Sequence, residues 1–467
     1  MISPYVGLLL IMAYFAVTFI ITNGIKKLTN SKLEYLLANR QVPVWAAALS
    51  FASTWIWAPA LFVAAQQAYV NGWVGVFWFT VPNVATLVIF AYFASWMRQK
   101  YPEGFTFSGY IREKTSKRVH NLYMVESFGL QTLSLAVQLL AGAAILYKIT
   151  GIPFVLTTVL LALIPLVYTI GRGLKASIIT DFWQMTWIVL VLLLGIPFML
   201  INGGGTEVMI EGLRSHTGDI HGLFSGRGLA VTLAFGIPTT IGLLSGTFGD
   251  QMFWQRVFAV KEKSVKKSLL WSAVMFAIVP LSLAVFGFMA AGSGLKVTDL
   301  QLTNAEAVIA FAPRWFMYIF LVMILSGLIS TVDSIICAVS SVTGHDVWER
   351  TTLMKAIFGT EVRLAKISMA VVVFVAVIIA NTGVQILHLF LIYGTLRASV
   401  MLPSAFAIKD VKMSERGMFY GILAALVIGL PIFTIGNFTG NTLLIVSGSL
   451  LTILLSGVIS ITLKDQK

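Results

Sequence analysis

The stretch SFASTWIWAPA, Ser50 to Ala60, decides how this chain is read. It sits inside a run of about 28 mostly apolar residues, Pro43 to Val70, long enough to cross a bilayer. Yet Ser50, Ser53, Thr54 and Pro59 crowd the middle of that run. Hydrocarbon tolerates interrupted backbone only where protein or a cavity shelters it. A membrane helix that spoils its own centre therefore predicts a site at that depth.

Working outward, the 467 residues are 58% hydrophobic and 11% charged, against about 25% charged in soluble domains. Mean hydropathy is +0.89. The chain reads as an all-α polytopic membrane protein with about thirteen transmembrane helices. The spans fall near 3–24, 43–70, 72–97, 119–147, 152–171, 175–202, 228–254, 267–291, 310–344, 364–382, 385–408, 417–436 and 441–462. The first lacks the basic region and small-residue cleavage site of a signal peptide and reads as a retained span. No loop has room for a sizeable soluble domain, and the segment 98–118 holds one short interfacial helix at most. The lone cysteine, Cys337, excludes an intramolecular disulfide.

A formal net charge of +13 could signal nucleic acid, but its placement argues against that. When alternate loops are assigned to opposite sides, one side takes only Lys148, Arg214, Arg227, Lys296 and Arg314. Arg397 lies inside a span, which leaves 26 of the 32 Lys and Arg on the other side. The positive-inside rule then places the N-terminus outside and the C-terminus in the cytoplasm of a multi-pass cell-membrane protein. There is no GxxxxGK[ST] phosphate loop, no His/Cys metal cluster and no DDxxD-like carboxylate motif. Enzyme chemistry is not expected, and oligomerisation is not required.

After the extra span 1–24, residues 43–202 and 228–408 divide into two halves of five spans, with 417–462 supplying two more. The second and seventh spans are both interrupted, the latter by Gly236, Pro238, Gly242, Gly246 and Gly249. Interrupted spans at corresponding positions of inverted halves point to a transporter site, although Gly and Pro are also common in membrane helices generally. The ninth span carries SGLISTVDSIICAVSSVTGHD, in which Gly327, Ser330, Thr331, Ser334 and Ser341 share one stripe and Asp333 falls outside it. Two readings stand: hydroxyls that glue helices together, or oxygen ligands for a hard cation completed by carbonyls freed in the broken span.

The segments SFASTWIWAPALFVAAQQAYVNGW, GRGLKASIITDFWQMTW, GDQMFWQRVFAVK and SGLISTVDSIICAVSSVTGHDVW, in that order, resemble signatures of the sodium/solute symporter family. Within it, TWIWAPALFVAAQQAYVNGWVGVFWF is most similar to the urea-transporter-like branch. The resemblance implies a LeuT-like core of two inverted five-helix repeats and a coupling sodium ion. That ion would be held by the carbonyls of Ser53, Ile56 and Gly327 and the hydroxyls of Ser330 and Thr331. It also implies a role for Asp181 on the sodium exit route, with Gln184 one turn on. Thr54, Trp57, Gln131, Gln184 and Arg397 form the expected solute-contacting set. The implied activity is sodium-coupled import of a small polar solute, urea-like or another neutral metabolite. A proton-coupled symporter, a carrier of a carboxylate-bearing solute and a channel are the rivals.

Five features stand beside that set. Trp55, Trp57, Phe77, Trp78 and Phe79 are candidates for the wall of a solute pocket, or for packing and lipid contact. Glu126 reads equally as a packed carboxylate or a pathway group. Asp250, Gln251, Gln255 and Arg256 read as a structural network near a helix end, and His345 and Asp346 as interface residues. Arg397 in LIYGTLRASVML lies about 18 Å from Lys409 along its helix, too deep to snorkel easily. It pairs with Asp181 or Glu126, or meets an anionic group on the solute.

Overall fold

In the computed structural model, which describes residues 2–25, 31–383 and 386–464 (for 386–392 the backbone alone), helices account for every long apolar run. Lys26, Lys27 and Lys467, counted above among the cytoplasmic charges, lie outside the described residues. Helix α1 spans Pro4–Asn23, with Ser3 as its N-cap and Pro4 in its first turn. Two helices follow on one broken axis: α2, Val44–Trp55, and α3, Ala58–Lys100. Next come the short α4, Phe107–Lys114, then α5, Lys117–Thr150, and α6, Phe154–Asn202. The second half contains α7, Gly226–Gly249, α8, Gln251–Ala259, α9, Val265–Gly292, and α10, Phe316–Ser341. It closes with α11, Glu361–Ala380, α12, Ile386–Ile408, α13, Glu415–Thr439, and α14, Thr442–Thr462.

Ten helices among the described residues are long and apolar enough to cross a membrane. Two of them are too long to cross once. At 1.5 Å per residue the 43 residues of α3 and the 49 of α6 would run about 65 and 74 Å, against a hydrocarbon core of about 30 Å. Each contains one glycine with non-helical geometry, Gly72 (φ 56°, ψ −149°) and Gly173 (φ 57°, ψ −150°). A Cβ at Gly72 would lie 2.2 Å from the Leu213 carbonyl oxygen, and one at Gly173 2.2 Å from that of Tyr35. Only glycine suits these backbones, and they divide each run into two pieces.

The seventh span breaks elsewhere than the sequence suggests. Backbone stays helical through Gly236, Pro238, Gly242 and Gly246, with one wider π turn at Thr232–Gly236. It departs only after Gly249, where Asp250 is extended (φ −88°, ψ 115°) before α8 begins. The start of α2 and the end of α8 lie side by side, with Val42 N–H donating to the Ala259 carbonyl at 3.2 Å.

Helix α10 is the axis of the molecule, and every residue from Met323 to Asp346 is buried. A helix apolar all round that carries Ser, Thr and Asp at its centre must find partners for those groups inside the protein. By contrast, Phe182, Trp183, Leu190, Leu193 and Leu194 on α6 are exposed, as suits a face turned to lipid. The short α4 is not interfacial: Phe107–Ile111 are buried, and Tyr110 donates to the Ala407 carbonyl at 2.9 Å. Asp346 likewise is buried rather than at an interface, accepting from Thr106 (3.0 Å) and Ser108 (2.6 Å).

Candidate functional site

The break between α2 and α3 has a local cause. Pro59 has no N–H to return to the Trp55 carbonyl and restricts the residue before it, so the helix stops at Ile56 (φ −84°, ψ 71°). The chain resumes after Trp57 (φ −82°, ψ 173°). The freed Ala58 N–H is met by the Gln138 side-chain oxygen at 2.8 Å, from α5. The freed carbonyls turn toward α10. Ser330 Oγ donates to the Ser53 carbonyl at 2.9 Å, and Thr331 Oγ1 lies 3.2 Å from that of Ile56 and 3.4 Å from that of Gly327. Gly327 permits the approach, because a Cβ there would lie 2.8 Å from Leu61 Cδ1. The five oxygens expected from the sequence are thus neighbours. A cation of sodium's or calcium's radius takes oxygens at about 2.3–2.6 Å, which sets adjacent ligands about 3–3.6 Å apart. The donor set, three carbonyls and two hydroxyls, therefore fits a hard monovalent cation.

Asp181 sits in an adjoining network. Its Oδ2 accepts from Ser50 Oγ (2.5 Å) and from Arg256 (3.0 Å). The same guanidinium donates to Ser177 (2.8 Å) and Ser334 (2.6 Å), and Ser334 in turn donates to the Ser330 carbonyl at 2.6 Å. Asp333, off the hydroxyl stripe, is fully buried and accepts from Ser177 (2.6 Å), Thr180 (3.2 Å) and Tyr168. Arg256 is thus more than a helix-end group: it bridges α8 to α2, α6 and α10 through Ser50, Ser177 and Ser334.

Arg397 pairs with neither Asp181 nor Glu126. Its partner is Asp250, at 2.5 Å, with both side chains almost fully buried. The break after Gly249 explains this, since it delivers a carboxylate to the depth of the guanidinium. Tyr393 completes the arrangement: its ring lies 3.6 Å from the Arg397 guanidinium carbon, its hydroxyl donates to Asp250 at 3.1 Å, and it accepts from Ser134 at 2.8 Å. Gln131 approaches the other Asp250 oxygen at 3.5 Å. Arg397 Nε has no hydrogen-bond partner.

Arg397 lines a cavity of about 320 Å³, within the range of small-molecule sites. Its wall includes Trp57, Phe79, Thr239, Thr395 and Asn437. Of the expected solute-contacting residues, Trp57 and Arg397 line it, whereas Gln131 does not and lies against Asp250. Thr54 and Gln184 lie elsewhere, Thr54 against Ser334 (3.0 Å) and Gln184 against Tyr14 of α1 (2.7 Å). Of the candidate wall aromatics only Trp57 and Phe79 face the cavity. Trp55 packs edge-on against Phe253, and Trp78 donates to Thr232 at 2.9 Å. Sequence reasoning left Asp250 in a helix-end network and passed over Tyr393. A signal for Asp250 was available: a lone Arg deep in a span requires a carboxylate at its own depth, and Asp250 directly follows a glycine-rich span.

A family profile described as "Sodium:solute symporter family" matches residues 35–440. The chain belongs to the sodium:solute symporter family. Among curated members it is 23% identical to the urea-proton symporter DUR3 of Oryza sativa subsp. japonica, over 90% of this chain and 64% of the relative. It is 25% identical to a probable urea active transporter of Schizosaccharomyces pombe, over 73% of this chain and 55% of the relative. It spans just over half to under two thirds of the length of these urea transporters. The sodium/pantothenate symporter of Haemophilus influenzae is 24% identical over 87% of this chain and 90% of the relative. Among solved structures, a Na+-coupled sialic acid symporter in a substrate-bound outward-open state superposes with a TM-score of 0.80 at 16% identity, covering 98% of this chain and 96% of that one. Mhp1, a nucleobase-cation-symport-1 family transporter, does so at 0.60 and 16%, covering 91% and 93%. This family member therefore has the LeuT-like fold of those symporters.

Proposed function

We propose that this protein is a secondary transporter that couples entry of one or more sodium ions to import of a small neutral polar solute, urea-like in chemistry. The reading rests on the approach of the Ser330 and Thr331 hydroxyls to the Ser53, Ile56 and Gly327 carbonyls, together with a cavity lined by Arg397, whose charge is met by Asp250. Sodium would be held by those five oxygens and supply the driving force. The solute would occupy the cavity. Arg397 and Asp250 cancel in charge, so a neutral solute adds no uncompensated charge, whereas a carboxylate would. The Arg397 guanidinium at the cavity wall would offer an N–H donor to a carbonyl oxygen, and the Trp57 and Phe79 rings would exclude water. Asp181 and Arg256 would control sodium release to the cytoplasm. Thirteen spans, inverted repeats at 43–202 and 228–408, and an outside N-terminus in the cell membrane complete the reading.

Proton coupling is the second reading, favoured by the name of the rice relative, a urea-proton symporter. Thermal-shift measurements on the detergent-solubilised protein separate the two. Urea or acetamide should raise the melting temperature, and sodium should enlarge that shift, because ligands stabilise the state they bind and coupled sites act reciprocally. In a Ser330→Ala/Thr331→Val variant sodium affinity should fall at least about tenfold, roughly 1.4 kcal/mol, with expression little changed. A sodium response that survives both substitutions would remove the cation site. A shift produced by acetate but not by acetamide would move the solute class to carboxylates.

A further inference from the structure

A second, smaller space of about 20 Å³, room for about one water, is lined by the residues on either side of Asp250 and not by Arg397. Ser108 of α4, Glu126 and Ser127 of α5, Gly249 at the end of α7 and Gln251 of α8 line it. Glu126 is only 6% exposed. Ser399 of α12 donates to its Oε1 at 2.8 Å. Its Oε2 is buried with no hydrogen-bond partner, and so is the Ser127 hydroxyl beside it.

Nothing charged in these surroundings is available to Glu126. Asp250 and Arg397 are spent on each other at 2.5 Å. Tyr123, one turn away on α5, is bonded to Ser404 at 3.1 Å. His120 faces Asp346 at 3.7 Å. Of the α4 charges, Lys114 is tied to Asp410 at 2.9 Å and Arg112 to Glu349 at 3.2 Å. Arg256 of α8 is bound to Asp181. Among the described residues Glu126 makes no ion pair. A carboxylate in a membrane interior, with one donor and no cation, is expensive as an anion and comfortable as an acid. The space also adjoins the hinge at Gly249, and Ser399 stands two residues from Arg397 on the same helix. Glu126 is thus joined through Ser399 to the helix that carries Arg397.

We propose that Glu126 is a proton-binding site of the transport cycle, holding a proton on Oε2 in this conformation and releasing it to water when the Gly249 hinge opens toward the cytoplasm. The carboxyl O–H bond breaks, the carboxylate keeps the electron pair, and the proton leaves with the incoming water. This deepens the transport reading above, and rests on it only for the link between proton and solute.

Two measurements test it. Infrared spectra of the purified protein near neutral pH should contain the carbonyl stretch of a protonated carboxyl that Glu126→Gln lacks and Glu126→Asp shifts. Coincident spectra in that region would overturn the proposal, and this readout needs no solute. Should Glu126→Gln fail to fold, the Glu126→Asp shift decides alone. In proteoliposomes, urea uptake driven by an inward proton gradient at fixed sodium should fall at least about tenfold in Glu126→Gln, while urea exchange stays within about twofold. An undiminished response to the proton gradient refutes the coupling. If urea is not carried at all, the solute class is wrong, and the infrared result still stands or falls by itself.

Discussion

Arg397 and Asp250 illustrate what a single deep charge demands. Neither has bulk water to turn to, so Arg397→Gln leaves a buried carboxylate alone, at a cost of about 3–5 kcal/mol. The solute-free variant should melt well below the parent, and adding Asp250→Asn should recover much of the loss. Asp181→Asn or Glu126→Gln in the same background should not. Rescue by either of those instead would contradict the pairing. At this scale much of the site was legible in advance. The polar cluster at the break declares itself, because hydroxyls at adjacent helical positions and carbonyls freed in a Pro-broken span must all face something polar at the same depth; a sodium ion there is what the family resemblance implies. The partner of Arg397 did not, because Asp250 reaches it across 147 positions of sequence, and the glycine-rich span before Asp250 does not by itself say at which glycine the helix breaks. Thr54 and Gln184 show the reverse limit: polarity inside a span signals a partner without saying whether it is a solute or another side chain.

Among the helices, breaks carry more information than lengths. Pro59 stops α2 because it removes a backbone donor, and the Ala58 N–H freed at the break is taken up by the Gln138 side-chain oxygen. Pro238 interrupts nothing, because it stands next to a π turn that absorbs the missing bond. Glycines divide in the same way. Gly72 has φ 56°, and a Cβ there would strike the Leu213 carbonyl, so Gly72→Ala should destabilise by at least about 1–2 kcal/mol from its backbone region alone. Gly129, in mid-helix on α5, has nothing within 4 Å of an added Cβ. Gly129→Ala should therefore be neutral, or stabilising by up to about 1 kcal/mol. Melting temperatures of the two variants check the contrast, and equal effects would mean that Gly72 is not a fixed break. Composition alone could rank both glycines only as helix weakeners. Their opposite roles depend on which backbone approaches each one.

Across the molecule, the proposed orientation sets which surfaces meet which compartment. Lys263 and Thr206 are both exposed, and Cys337, the only cysteine in the sequence, is buried. In a Cys337→Ala background, a cysteine at 206 should react with an impermeant maleimide added to intact cells, and one at 263 only after the cells are opened. The opposite pattern would invert the topology. The deep burial of the Arg397–Asp250 and Arg256–Asp181 pairs has a further consequence, for ionic strength. Mobile counter-ions screen charges they can surround, over about 8–10 Å at ordinary salt, and no counter-ion surrounds these four groups. The exposed pairs, Arg227 with Asp219 and Lys114 with Asp410, are open to such screening. Inert salt can therefore be varied widely, or choline exchanged for sodium, without loosening the charges that hold the transport site together. Any response specific to sodium at constant ionic strength then reports ion binding rather than a general weakening of electrostatics.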